Sequence, residues 1–412
     1  MLKKKYLKLF LEVVFVLLIF VGGLGILENR KQSVILDSDE IAWIFAGYYF
    51  NLYFLHLDII HSDWNDDEAF DHPPLAKYIV GGILYLKGYT IDSLGPKKFW
   101  NNIPIDQFPK YIDLIKHKIP NPTIVIPFTR SMIYMFALSS LFLIYIFVRI
   151  RYGVLPAIVS ILLIMINPIF YIVSVWILAE PLLLFFYSLF ILLCALYLKY
   201  SKNLYIILAL IVSALSFLTK INGILLVSLF LTIFLIKNRL WIVKQDYKYL
   251  IAGVIAFLFI VILLNPVFLN TGLRAIERMV EVRLAAFSRY QETFKNVALL
   301  SVKERFITAA RMIFFEYSFF YHWLKIPVEL ILFILGIFYF IKKKDLFFIS
   351  ILIYLVIIPI SILPYNIIKY YYWIFPFTHI TAGISINLMM EAWMGRKTRN
   401  IKNKLGSVCK MN

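Results

Sequence analysis

Residues 129–151 read TRSMIYMFALSSLFLIYIFVRIR, a long apolar run that ends in the basic residues Arg149 and Arg151. An α-helix rises about 1.5 Å per residue, so roughly 20 such residues cross the hydrocarbon core of a bilayer. Basic residues directly after an apolar run are typical of a cytoplasmic loop. This stretch therefore predicts a membrane span with Arg130 at its outer end.

The same pattern recurs along the chain and predicts about ten spans. They lie near residues 7–27, 129–149, 154–176, 181–198, 203–220, 222–237, 249–266, 325–341, 346–363 and 371–392. Basic residues precede the first run and follow every even-numbered one, for example Lys199 and Lys202 after the fourth. One orientation satisfies all these loops, so both termini are expected in the cytoplasm. The first run is expected to be an uncleaved span and not a signal peptide.

Composition supports a membrane protein over a soluble one. The chain is 62% hydrophobic and 16% charged, whereas soluble domains are about a quarter charged. The net charge of +18 would suggest a nucleic-acid partner in a soluble protein, but here the basic residues fit the role of topology determinants, and no nucleic acid is expected. Cys194, in an apolar run, and Cys409, in the basic tail, suit neither a disulfide framework nor a zinc site.

Two long segments, about residues 28–128 and 267–324, fall on the outer side and carry nearly all acidic residues. This asymmetry predicts extracytoplasmic chemistry. Apolar stretches at 75–85 and 273–287 are too short or too mixed to span and predict interfacial helices. The aromatic-rich stretch 41–57 is expected at the headgroup level. We therefore expect an all-α fold, with a single transmembrane domain over residues 1–395 and a basic cytoplasmic tail over 396–412.

Asp39 and Glu40 stand just after the first span, in LDSDEIAW at residues 36–43. A carboxylate near the membrane surface can act as a general base toward a hydroxyl group. The alternative is structural, because Ser38-Asp39-Glu40 also supplies a helix N-cap and a first-turn acid.

The string DHPPLAK at residues 71–77 is the second candidate motif. Its prolines fix the chain as it enters a helix, and Lys77 falls on the first turn, where helix dipole and cation favour an anion. His72 could donate a hydrogen bond to a phosphate. The alternative is an ordinary helix start with a solvated lysine.

A third candidate is the acidic stretch DWNDDE at residues 63–68. Its spacing lacks the glycine and the later glutamate of a calcium loop. We interpret it as a solvated loop, with a metal site as the alternative.

These motifs resemble a known family. ILDSDE at 35–40 followed by DHPPLAK is similar to the first outer loop of the protein O-mannosyltransferases and their aminoarabinose-transferase relatives, which are membrane glycosyltransferases of the GT-C class. Further matches follow in order over most of the chain: Arg130 at the start of the second span, Glu180 in WILAEPLLLFF where relatives usually carry Asp, Lys220 in FLTKINGILL, and Lys369-Tyr370 in IIKYYYWIFPF.

The resemblance implies roles for these residues. Asp39 resembles the catalytic base and Glu40 its neighbour. Contacts to the donor phosphate are implied for His72, Lys77, Arg130 and Lys369. Shaping of the acceptor site is implied for Asp71, Glu180 and Lys220. The structural alternatives are a snorkelling lysine for Lys220 and a solvated turn for Glu180.

The implied reaction is an inverting transfer of a hexose, with mannose the leading case, from a polyprenyl or dolichyl phosphate to an extracytoplasmic hydroxyl. No soluble cofactor is implied, although other members of the class use a divalent ion, so metal dependence stays open. The second outer loop has no large soluble insertion, which leaves a protein, a lipid or a glycan as the acceptor.

The main alternative is a transporter or flippase for a lipid-linked sugar, and a structural scaffold is a further one. Transporters tend to show internal repeats and charges near the membrane midplane. This sequence has no clear repeat, and its charges cluster at the outer ends of the spans, which favours an interfacial enzyme.

Overall fold

The computed structural model describes residues 2–93, 118–238, 244–293 and 297–408 of the chain. Within these ranges the regular backbone is helical, apart from one antiparallel bridge between Ala298 and Tyr365. The longer helices are α1 Leu2–Ser33, α2 Ser38–Ala46, α3 Leu75–Leu86, α4 Pro122–Tyr152, α5 Val154–Ile166, α6 Glu180–Tyr200, α7 Leu204–Thr219, α8 Leu225–Lys237, α9 Lys244–Leu264, α10 Arg274–Thr293, α11 Val302–Arg311, α12 Val328–Lys343, α13 Leu346–Leu352 and α14 Phe375–Val408. The shorter helical segments are Tyr48–Phe50, Asn51–Leu55, Ser62–Asn65, Asp67–Asp71, Pro168–Val173, Ile221–Ile224, Pro266–Thr271, Met312–Glu316, Phe319–Leu324, Ile353–Ile357, Ile358–Ser361 and Ile368–Tyr371.

Long apolar helices dominate this architecture. Within the described residues, four stretches are long and apolar enough to cross a membrane by length and composition: Phe10–Ser33, Pro122–Tyr152, Glu180–Tyr200 and Asp246–Leu264. Shorter apolar helices include α5, α7 and the continuous helical run Leu346–Ser361. Each predicted span coincides with one helix or with consecutive helical segments. The prediction of an all-α polytopic membrane protein is confirmed.

The core lies around α6, and other helices surround it. In the most apolar 18-residue window of α6, 72% of residues are buried, against 11% for the corresponding window of α9. On α9, Ile255 and Phe259 are exposed although both are strongly apolar. Apolar side chains stand exposed in this way when lipid and not water surrounds them.

The third predicted span is interrupted near its end. The Asn167 side chain accepts a hydrogen bond from the Ile169 backbone N–H at 2.9 Å and starts the short helix Pro168–Val173. The turn that follows is largely buried and leads into α6, whose first residue is Glu180. This interruption places Glu180 inside the protein at the end of the bundle that carries Asp39.

The loops lie at two opposite ends of the helices, and polar contacts join the loops at each end. At one end, Arg151 contacts Asp345 at 3.2 Å, and the Tyr197 hydroxyl donates to Asp246 at 3.0 Å. These contacts join loops that the basic residues predict to be cytoplasmic. The candidate site residues lie at the other ends of the same helices. Which end faces the cytoplasm stays a prediction.

Within the first outer segment, the chain directly after α2 packs tightly against α3. A Cβ atom on Gly81 of α3 would lie 2.5 Å from the carbonyl oxygen of Gly47 and 2.3 Å from the Cβ of Phe50. Real Cβ atoms do not approach so closely, so glycine permits this crossing. The close approach brings the start of α3 beside α2.

The aromatic stretch 41–57 packs mainly inside the protein. Trp43, Tyr48 and Tyr49 are buried within the protein, whereas Phe54 is exposed. The Tyr48 hydroxyl donates to Asp63 at 2.9 Å, and the Tyr49 hydroxyl donates to the Asp63 carbonyl at 3.2 Å. Most rings of this stretch therefore pack within the protein and satisfy their hydroxyls there, and their position at the headgroup level stays a prediction.

The second outer segment has an exposed apolar face and an inner face. On and beside α10, the predicted apolar side chains Leu273, Ile276, Val280 and Leu284 are exposed, which leaves them free to contact lipid. The opposite side of α10 buries Ala275 and Met279. Arg283, one turn after Met279, continues this inner face and points toward the first outer loop.

Backbone pairing fastens the second outer segment to the chain before Lys369. The Leu299 N–H donates to the Pro364 carbonyl at 2.9 Å, and the Asn366 N–H donates to the Val297 carbonyl at 2.8 Å. The two outer segments and the loop before α14 therefore meet at one place.

Candidate active site

Asp39 lies on the first turn of α2, and Asp37 caps this helix. The Asp37 carboxylate accepts the Asp39 N–H at 2.8 Å, and Glu40 accepts the Asp37 N–H at 2.9 Å. This reciprocal pair is a capping box. The N-cap is thus one residue earlier than the Ser38 expected from the sequence. Since Asp37 does the capping, the Asp39 carboxylate is not needed for it and stays 27% exposed.

Lys369 is the cation partner of Asp39. It lies in the short helix Ile368–Tyr371, just before α14, and its ammonium forms an ion pair with Asp39 Oδ2. Burial by itself would lower the pKa of Lys369, but the carboxylates of Asp39 and Asp37 raise it above its ordinary value. Lys369 is therefore a fixed positive charge beside the candidate base.

Glu40 and Arg130 form a buried bidentate ion pair. Arg130 Nε donates to Glu40 Oε1 at 2.8 Å and its Nη2 to Oε2 at 2.6 Å. Glu40 also accepts the Ile177 N–H at 2.9 Å, and Arg130 donates to the carbonyls of Lys31 and Val34. Both groups have most of their hydrogen-bonding capacity filled. Arg130 thus joins the end of α1, α2 and α4 through these contacts, and its contact to a donor phosphate stays a prediction.

The DHPP turn forms a contact set with the second outer segment. His72 lies against Trp43, with ring centres 5.1 Å apart. Arg283 Nη2 lies 2.6 Å from His72 Nδ1, and Arg283 Nη1 lies 3.2 Å from Asp71 Oδ1. Burial, followed by the positive charge of Arg283, lowers the pKa of His72 well below its ordinary value. His72 is therefore neutral and can offer a phosphate an N–H but no charge.

Four cations surround His72. The side chains whose charges lower its pKa, after burial, are Arg283, Lys220, Lys77 and Lys369. They come from four separate stretches of chain, so the fold brings these charges together near His72. Such a cluster suits an anionic group such as a phosphate.

Lys77 is buried on the first turn of α3. Its ammonium donates to the Glu68 carbonyl and lies 4.6 Å from the centre of the Tyr49 ring. Burial is the main cause that lowers the pKa of Lys77 to about 8. Its direct partners hold the segment before the DHPP turn, so its contacts favour positioning of His72.

Glu180 and Lys220 form a second buried ion pair. Lys220 Nζ donates to Glu180 Oε1 at 2.6 Å, and the same ammonium lies 5.4 Å from the centre of the Tyr370 ring. The turn after Lys220 requires Gly223, because a Cβ there would lie 2.2 Å from the carbonyl carbon of Ser216. Both residues are buried, unlike the solvated turn considered for Glu180 and the snorkelling lysine considered for Lys220.

Tyr370 follows Lys369 in the chain, and its ring lies against the ammonium of Lys220. It therefore links the Asp39–Lys369 pair to the Glu180–Lys220 pair. Burial is the main cause that raises its pKa, and the charges that also act on it are those of Lys369, Asp39, Arg283 and Glu180. Asp39, the cation cluster and Glu180 thus converge at one site, formed by both outer segments, the turn before α6 and the loop before α14.

The acidic stretch 63–68 is bound by protein groups. Asp63 accepts from Tyr48, and Asp67 pairs with Arg278 at 2.7 Å. Over the described parts of the chain, no group of three or more His, Cys, Asp or Glu side chains is arranged to hold a metal ion.

Two residues of this site, Asp37 and Arg283, were not among the site residues predicted from the sequence. Asp37 could have been found, because Asp37 and Glu40 have the spacing of a capping box. Arg283 carries no local signal, since it is one of several charged residues on a mixed helix. Only the packing of α10 against the DHPP turn distinguishes it.

Comparison with known proteins finds solved structures that share this fold. No protein-family model matches the chain, and no curated protein matches it. Among solved structures, it is similar to ArnT from Cupriavidus metallidurans, in the apo state and bound to undecaprenyl phosphate, with a TM-score of 0.52 and 14% identity to each. The matches cover 94% and 92% of this chain but 60% of ArnT, so the chain spans only part of the ArnT length. The likeness shows a shared fold, that of an all-α polytopic membrane protein, as the sequence predicted.

Proposed function

We propose that the protein is a membrane glycosyltransferase that takes a sugar from a polyprenyl-phosphate carrier. The observation that carries this proposal is the partly exposed Asp39 carboxylate, paired with Lys369 at the edge of the cation cluster around His72. A base and a phosphate-binding cluster at one site are what such a transfer requires. The ArnT structure with undecaprenyl phosphate supports a carrier of this class.

In the proposed reaction, Asp39 accepts the proton of an acceptor hydroxyl. The acceptor oxygen attacks the anomeric carbon of the sugar, and the bond from that carbon to the phosphate oxygen breaks on the opposite face. Polyprenyl phosphate leaves with the bonding electrons, and the sugar is inverted. Fixed cations that neutralise the developing charge supply the main catalytic contribution.

We assign the donor phosphate to Lys369, Arg283 and the N–H of His72. An ammonium has three N–H donors, so Lys369 can hold Asp39 and a phosphate oxygen at the same time. Lys77 and Arg130 act as positioning residues in this scheme, through their contacts to the outer loop and to Glu40. No soluble cofactor is required.

Glu180, Lys220 and Asp71 are assigned to the acceptor side. Lys220 holds Glu180 by an ion pair, and the same ammonium lies against the Tyr370 ring. The transferred sugar is proposed to be a hexose, with mannose as the leading case, on the resemblance to the mannosyltransferases. Location in the cell membrane, with an extracytoplasmic site and cytoplasmic termini, follows from the basic loops.

The experiment is a transfer assay with the purified protein. Radiolabelled polyprenyl-phosphate hexoses and aminosugars are incubated with the protein and a lipid extract, a peptide mixture or a glycan as acceptor. Transfer of label with release of polyprenyl phosphate is the expected result. Movement of intact labelled donor across a reconstituted bilayer, without transfer to any acceptor, would overturn the proposal in favour of a flippase.

A further inference from the structure

Asp37 is close enough to Asp39 to influence its chemistry. Its carboxylate accepts the Asp39 N–H at 2.8 Å, so the two acids share one turn at the start of α2. The charges that act on Asp37 are those of Asp39, Lys369 and Glu40. Glu40 is itself paired with Arg130, so Lys369, the ion-pair partner of Asp39, is the cation whose charge acts on Asp37.

We propose that Asp37 is a positioning residue that sets the basicity of Asp39 by sharing Lys369 with it. This inference rests on the proposed function and adds a second carboxylate to its base. An ammonium paired with one carboxylate would make that carboxylate a weak base. A second negative charge beside the pair offsets this effect, and it gives Lys369 a partner when Asp39 becomes neutral on taking the proton.

The ionisation of Asp37 supports this role. Burial, and then the negative charge of Asp39, raise the pKa of Asp37 from its ordinary value to about 6. Asp37 is therefore charged above about pH 6 and loses its charge below it. Transfer should fall as the pH drops through this range, because Asp39 then loses the neighbouring charge that keeps it basic.

Substitution of Asp37 separates its charge from its capping role. Asn and Ser are both good N-caps and both lack the charge, whereas Ala lacks both properties. In Asp37→Asn and Asp37→Ser, the acid limb of kcat against pH should move down by about one pH unit, and the plateau should fall about three- to tenfold. Their thermal melts should match the wild type. Asp37→Glu keeps the charge and should keep the position of the acid limb.

The outcomes are distinguishable. If Asp37 acts only as a cap, Asn and Ser variants have the wild-type pH profile, and the Ala variant alone is altered through its lower stability. That result overturns the inference while leaving the proposed function intact. Wild-type protein that transfers no sugar at any pH overturns the proposed function, and the inference with it.

Discussion

Lys369 donates a hydrogen bond to the carboxylate of Asp39, although 330 residues separate the two along the chain. Asp39 follows the first long helix, and Lys369 precedes the last one. Both side chains keep some access, with 27% of Asp39 and 13% of Lys369 exposed. The contact therefore joins the chain after α1 to the chain before α14 at a place that is open to solvent.

Lys369 and Arg283 should control donor affinity. The variants Lys369→Met and Arg283→Gln each remove one charge-assisted hydrogen bond to the donor phosphate. Such a bond contributes about 1.5–3 kcal/mol to binding. The donor KM should rise roughly ten- to hundredfold in steady-state transfer assays. Arg274→Gln is the control, because this arginine is exposed on the same helix as Arg283. Unchanged donor KM in both test variants would remove these cations from the phosphate site.

The Glu40–Arg130 pair should stabilise the fold. Removing one partner of a buried ion pair typically costs about 3–5 kcal/mol, because the other charge stays buried without compensation. Arg130→Ala should therefore strongly lower the melting temperature in detergent, and Arg130→Lys should restore it only in part, since lysine lacks the bidentate geometry. Arg278→Ala, at an exposed pair with Asp67, should have little effect. Equal melts for the Arg130 and Arg278 variants would contradict the buried role.

The sequence predicts the spans and most residues of the candidate site. Apolar runs and basic loops predicted where the long helices lie, because the bilayer imposes length and composition on each span. Asp39, His72 and Lys369 were found through motifs. What the sequence could not supply was the pairing, since Arg130 meets Glu40 and Arg283 meets His72 only through tertiary packing.

Lys77 should make stability depend on pH above neutrality. Its pKa is about 8 in the folded protein, chiefly through burial, against about 10.4 for an unperturbed lysine. Between these values the unfolded chain binds more protons, so stability rises with pH. The melting temperature of wild type should rise relative to that of Lys77→Met between about pH 8 and 10. Lys87→Met, at an exposed lysine, is the control, and parallel curves for wild type and Lys77→Met would contradict the burial argument.

The orientation of the bundle can be read by cysteine labelling. In a Cys409→Ser background, a cysteine at exposed Ser62 should react with a membrane-impermeant maleimide in intact cells. A cysteine at exposed Lys202, in a predicted cytoplasmic loop, should react only after permeabilisation. Unsubstituted Cys409, in the basic tail, should likewise be protected in intact cells. Labelling of Lys202→Cys with protection of Ser62→Cys would reverse the orientation and move the site to the cytoplasm.

Transfer by purified Asp39→Asn protein, measured beside its thermal melt and its donor binding, tests the assignment of the base most directly. Asn preserves the size of the side chain, and the helix keeps its cap because Asp37 supplies it. An amide cannot accept the proton, and loss of a general base typically costs on the order of 10²–10⁴ in rate. The expected result is a stable protein that binds donor normally and transfers sugar at least a hundredfold more slowly. Transfer near the wild-type rate would contradict the account and leave Asp71 and Glu180 as the next candidates.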